Sequence, residues 1–161
     1  MLSDWNVLVF TIPRTSTDLE AIEIDVLYQN YSGGGICVLG NLYDTYGWSD
    51  GLCFGKNRNT QMMFSRYGGY WDHAGQSNNV PTTIFDDLLG IQNQVWQTLR
   101  VEYDYVDETV EYFINGNSVY TAQNIPLDTL SNNKIYLSGG TPCCSSPANV
   151  AWSNLKVYEG Q

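Results

Sequence analysis

Apolar and polar residues alternate along much of the chain, and turn residues break the alternation every eight to twelve positions, the rhythm of a sandwich or barrel. The pattern predicts strands at Trp5–Ile12, Ala21–Tyr28, Ile36–Leu39, Gly51–Gly55, Gln61–Ser65, Val80–Ile84, Val95–Tyr105, Thr109–Ile114, Ser118–Ala122, Lys134–Ser138 and Ala151–Tyr158. The cleanest alternation runs through Thr98–Tyr105. Leu99, Val101, Tyr103 and Tyr105 share one face there, and Thr98, Arg100, Glu102 and Asp104 share the other. Val110, Tyr112 and Ile114 repeat the pattern. Asn115-Gly116 then supplies a pair that readily takes the positive φ values of a type I′ turn, so Thr109–Ala122 reads as a hairpin. With a turn at Val106-Asp107-Glu108, the region forms a three-strand meander.

Asp86-Asp87-Leu88-Leu89-Gly90 could form one helical turn, and no other stretch competes for a helix. Gly33-Gly34-Gly35 reads as a flexible turn, and Trp5, Trp96 and Trp152 read as core residues. No repeat or linker divides the chain, so residues 1–161 are expected to form a single domain. The fold class this implies is all-β, a single-domain antiparallel β-sandwich.

Composition narrows the partners. Apolar residues make up 43%, enough for a core, while charged residues make up only 15%. Seven Lys+Arg against 17 Asp+Glu give a net charge of −10, which disfavours nucleic acid and anionic membrane surfaces as partners. No apolar run approaches the ~20 residues that span a bilayer as a helix. Met1–Arg14 lacks the charge and hydropathy pattern of a secretory signal. The chain therefore reads as a domain of a longer secreted protein, a mature form given a new Met, or a protein never sent through a secretion channel, such as a virion component, with an extracellular or virion-surface location.

Trp96-Gln97-Thr98-Leu99-Arg100-Val101-Glu102-Tyr103, followed by Val110-Glu111-Tyr112-Phe113-Ile114-Asn115-Gly116, resembles the signature of laminin-G-like domains. Val150-Ala151-Trp152-Ser153-Asn154-Leu155-Lys156-Val157-Tyr158 resembles the closing strand of that family and of related glucanases. The likeness, over about residues 94–158, implies a concanavalin A-like jelly roll. Such motifs are structural, and function has to be argued from a site.

Glycoside hydrolases share that fold, and Glu23-Ile24-Asp25-Val26-Leu27 resembles the E-x-D-x-E strand of the laminarinase type. Retaining hydrolysis needs a nucleophile and an acid/base about 5–5.5 Å apart. Position 27 is Leu, so the acid/base role is empty and a non-catalytic chain is expected. His73 is the only histidine, and it sits in an irregular stretch beside Asp72, where a hydrogen bond to that carboxylate explains it more simply than a catalytic triad.

Sugar sites combine flat aromatic rings with amide and carboxylate groups. Two irregular stretches carry that mixture. Asn41–Asp50 offers Tyr43, Tyr46 and Trp48, and Arg66–Asn79 offers Tyr67, Tyr70, Trp71, His73 and Gln76. These are the candidate contacts to a glycan or glycoprotein, with packing over the sandwich edge as the competing role. Calcium occurs in many relatives of the fold, and Asp44, Asp50 and Asp72 are its candidate oxygen ligands. Cys37 and Cys53 lie in neighbouring predicted strands and are the first choice of disulfide, against free buried thiols; the adjacent Cys143 and Cys144 could each reach elsewhere or form a strained vicinal ring. A lectin-like or adhesion domain is the leading expectation. The alternative is a structural protein that assembles as a homo-oligomer or on a virion, and a glycoside hydrolase ranks third.

Overall fold

The computed structural model describes residues 6–11, 19–29, 33–38, 52–57, 61–65, 84–86, 91–123, 134–140 and 150–159. These form β1 (Asn6–Thr11), β2 (Leu19–Tyr28), β3 (Gly33–Val38), β4 (Leu52–Asn57), β5 (Gln61–Ser65) and β6 (Ile84–Asp86). They continue with β7 (Trp96–Asp104), β8 (Thr109–Ile114), β9 (Asn117–Ala122), β10 (Lys134–Gly140) and β11 (Val150–Glu159). Two antiparallel sheets result, one ordered β1-β10-β3-β4-β5-β6 and the other β11-β2-β7-β8-β9. No helix is present among the described residues. The expected helical turn begins inside β6 at Asp86, and its remainder lies outside the described residues.

Alternation builds the centre of the five-stranded sheet. In β7, Gln97, Leu99, Val101 and Tyr103 are buried, and Thr98, Arg100 and Glu102 lie on the other face. β2 follows the same phase, with Ile22, Ile24, Val26 and Tyr28 inward. A one-residue slip would send this apolar set to solvent, at about 1.5–3 kcal/mol per large side chain. The facing sheet contributes Ile36, Phe54, Ile135 and Leu137 to the same core. Phe54 of β4 meets Tyr112 of β8 edge to face at 5.3 Å, joining the two layers. The structure is thus a sandwich of two packed sheets.

The meander forms as expected. Asn115 (φ 50°) and Gly116 (φ 77°) take the two left-handed positions of the β8–β9 turn. Asn115 Oδ1 also accepts the Thr98 backbone N–H at 2.9 Å, tying the turn to β7. Asp104 Oδ1 accepts the N–H groups of Val106 and Asp107 and closes the β7–β8 turn.

Two expectations are corrected. Gly33, Gly34 and Gly35 do not form a turn: they are the first half of β3, an interior strand, where Gly35 pairs with Ser138 on one side and Gly55 on the other. Glycine shows no face in a hydropathy pattern, so the strand is invisible there. Trp96 is not core but 50% exposed. It shares the parity of Thr98 and Arg100, which already assigned it to the outer face. Trp152 packs on the core and meets Tyr28 at 6.3 Å, whereas Trp5 lies outside the described residues.

Candidate functional site

Glu23 and Asp25 sit on the outer face of the five-stranded sheet, beside β7 and β11. A β-bulge determines what meets them. The register of β11 against β2 shifts between Ser153 and Lys156, and Asn154 takes φ 52°. Before the bulge Trp152 packs inward, and after it Leu155 does, three residues on. The extra residue reverses the phase of the strand, so Lys156 and Tyr158 reach the outer face.

Each carboxylate is then engaged. Glu23 Oε1 accepts from Lys156 Nζ at 2.6 Å, and Oε2 lies 3.4 Å from Arg100. Asp25 Oδ1 accepts the Thr98 hydroxyl and Oδ2 the Asn154 amide, both at 2.7 Å. Arg100 also donates to Glu102 at 2.6 Å and stacks over the Tyr158 ring at 4.4 Å. The Thr98 hydroxyl, ahead of the opposing desolvation, holds Asp25 below its ordinary pKa. Lys156 is raised, first by its hydrogen bond to Glu23. A general acid needs the opposite, a carboxyl pushed up so that it carries a proton near neutral pH. Leu27, paired with Trp96 and Ala151, completes this face where a further carboxylate would be needed. The Asn154 bulge and its grip on Asp25 could not be read from alternation, because a bulge breaks the period that reveals strands.

The expected glycan contacts Tyr43, Tyr46, Trp48, Tyr67, Tyr70, Trp71, His73 and Gln76, and the expected calcium ligands Asp44, Asp50 and Asp72, lie outside the described residues. Among the described residues no group of three or more His, Cys, Asp or Glu is placed to hold a metal ion. The strands that bracket both stretches are described. Val38 at the end of β3 pairs with Leu52 at the start of β4, and Cys53 pairs with Ser65 at the end of β5. Phe64, just before it, pairs with Ile84 at the start of β6. The chain therefore leaves and re-enters the sheet for residues 39–51 and 66–83 at one and the same end. The four anchor points occupy adjacent strands and span about 14 Å at the usual strand spacing. The register also places Cys37 directly opposite Cys53 near that end.

No family model matches the chain, and no curated protein sequence does. Solved structures do match. Sheep galectin-11, in complex with glycerol, superposes with a TM-score of 0.59 at 7% identity over 98% of this chain and 100% of that one. A laminarinase from Flavobacterium sp. gives 0.64 at 13% identity, over 94% of this chain and 71% of that one. A homodimeric agglutinin from chicken liver gives 0.56 at 9% identity, over 95% and 100%. At these identities the likeness is one of fold: the chain is an all-β, antiparallel sandwich of the concanavalin A-like jelly-roll kind.

Proposed function

We propose that this chain is a non-catalytic, lectin-like domain that binds a glycan or glycoprotein through residues 41–50 and 66–79. The observation that carries the reading is the common origin of the two aromatic stretches. The ends of β3 and β5 and the starts of β4 and β6 gather at one end of the six-stranded sheet. A galectin and an agglutinin share the fold. The laminin-G-like likeness of Trp96–Tyr103 belongs to the same reading, with the meander as scaffold. The ion pairs of Glu23 with Lys156 and Arg100, and the lowered pKa of Asp25, argue against hydrolysis at that strand. Such a domain would act outside the cell or on a virion surface.

A glycan array, run with calcium and with a chelator, tests the proposal. Binding that Trp48→Ala or Trp71→Ala abolishes, with the melting temperature unchanged, supports it. Equal loss of stability moves those rings into the core and sinks it. A chelator effect would assign Asp44, Asp50 and Asp72 to calcium. Turnover of laminarin that Glu23→Gln eliminates would replace the lectin reading by a hydrolase.

One observation favours assembly as a second reading. β1 is an edge strand and leaves Leu8 56% and Phe10 41% exposed. An edge of this kind is a template for pairing with a second copy of the chain. Light scattering after size exclusion decides this, and a strict monomer at high concentration removes the reading.

A further inference from the structure

We infer that Cys37 and Cys53 form a cross-strand disulfide that closes the base of the aromatic segment 39–51; the role in binding, though not the bond, rests on the reading above. The two cysteines are register partners in neighbouring antiparallel strands. Directly opposed residues in such a pair have Cα atoms about 4.5 or 5.5 Å apart, depending on the hydrogen-bonding phase. Both values fall inside the span of about 4.4–6.8 Å that a disulfide bridges, so no backbone movement is needed. Opposed residues also share a face. Ile36 and Phe54, the adjacent pair in the same register, are buried in the core.

Residues 141–149 follow Gly140, which pairs with Gly33 at the opposite end of β3. Four residues of strand separate Gly33 from Cys37, about 13 Å.

The bond forms by exchange with a disulfide donor such as oxidised glutathione. One cysteine thiolate attacks the donor sulfur and releases a reduced glutathione. The second thiolate then displaces the other glutathione from the mixed disulfide, so two electrons and two protons pass from the cysteines to the donor. The bridge encloses Tyr43, Tyr46 and Trp48 in a ring anchored on adjacent strands. A segment closed into a covalent ring gives up less conformational freedom when it binds, which is preorganisation.

The full chain, equilibrated with reduced and oxidised glutathione, is alkylated without reduction, digested and mapped by mass spectrometry. A linked peptide joining Cys37 to Cys53 is expected. Alkylation of both residues, or linkage of either one to Cys143 or Cys144, overturns the inference. Melting of Cys37→Ser, Cys53→Ser and the double variant gives a second readout. Paired cysteines make the double variant no worse than either single one, while additive losses count against the bond. If the map shows the bond, reduction should weaken glycan binding by up to about tenfold. An intact bond with no glycan binding would leave the cross-link standing and remove only the lectin reading.

Discussion

The two sheets of this sandwich use their outer faces differently. On the five-stranded sheet, strands carry the charged chemistry and also consume it: Glu23 holds Lys156 and Arg100, and Asp25 holds Thr98 and Asn154. On the six-stranded sheet, β3 and β10 bring glycines together at one end, Gly34 opposite Gly139 and Gly33 opposite Gly140. The other end brackets the two aromatic stretches. Polar residues on a regular strand tend to meet register partners and become structure. Residues in the connecting segments have no register partner imposed on them, and they are where recognition is free to evolve.

The most damaging single change should strike where the two sheets meet. Phe54→Ala removes the ring that packs on Tyr112 and leaves a cavity in the shared core. A loss of about 3–5 kcal/mol is expected by denaturant unfolding. A loss below about 1 kcal/mol would show that the six-stranded sheet is only loosely coupled to its partner.

A smaller effect is expected on the outer face of β2. Asp25→Asn keeps the shape and removes the charge, for a loss of about 1 kcal/mol at neutral pH. Its pH dependence carries the sharper test. The folded pKa of Asp25 lies below its ordinary 3.8. The stabilisation is therefore fully present above that value and disappears as the pH falls through the folded pKa. The wild-type chain should lose stability below about pH 4, and the Asn variant should lose less over the same window. Parallel curves would mean that Thr98 and Asn154 do not hold the carboxylate in solution.

What could be read in advance follows the same division. The β7–β8–β9 meander was legible because each strand buries one face and Asn115-Gly116 marks the turn. The first half of β3 was not, since three consecutive glycines carry no hydropathy, while its second half was read as Ile36–Leu39. The charge network was half legible: parity put Thr98 and Arg100 on one face of their strand, and the E-x-D-x-E likeness put Glu23 and Asp25 together on theirs. The phase reversal at Asn154 that delivers Lys156 depends on tertiary pairing with β2. Trp96 was misassigned because aromatic bulk outweighed parity. The aromatic stretches were visible only as composition, and it is the register of β3–β6 that gives them a shared origin.

The smallest expected effect lies in the core of the five-stranded sheet. The Tyr103 hydroxyl is buried and has no hydrogen-bond partner among the described residues. Desolvation pushes its pKa well above the ordinary value of 10.0. An unsatisfied buried hydroxyl opposes folding, so Tyr103→Phe, which keeps the ring, should change stability at neutral pH by under about 1 kcal/mol, with gain favoured over loss. The alkaline limb is more informative. The unfolded chain releases the tyrosine proton near pH 10, whereas the folded chain retains it, so native stability falls as pH rises above that value. The Phe variant removes this contribution and should hold its stability better between about pH 9 and 11. A loss above about 1 kcal/mol at neutral pH would instead show that the hydroxyl bonds to a group beyond the described strands. The five-stranded sheet would then not be the self-contained half of the molecule.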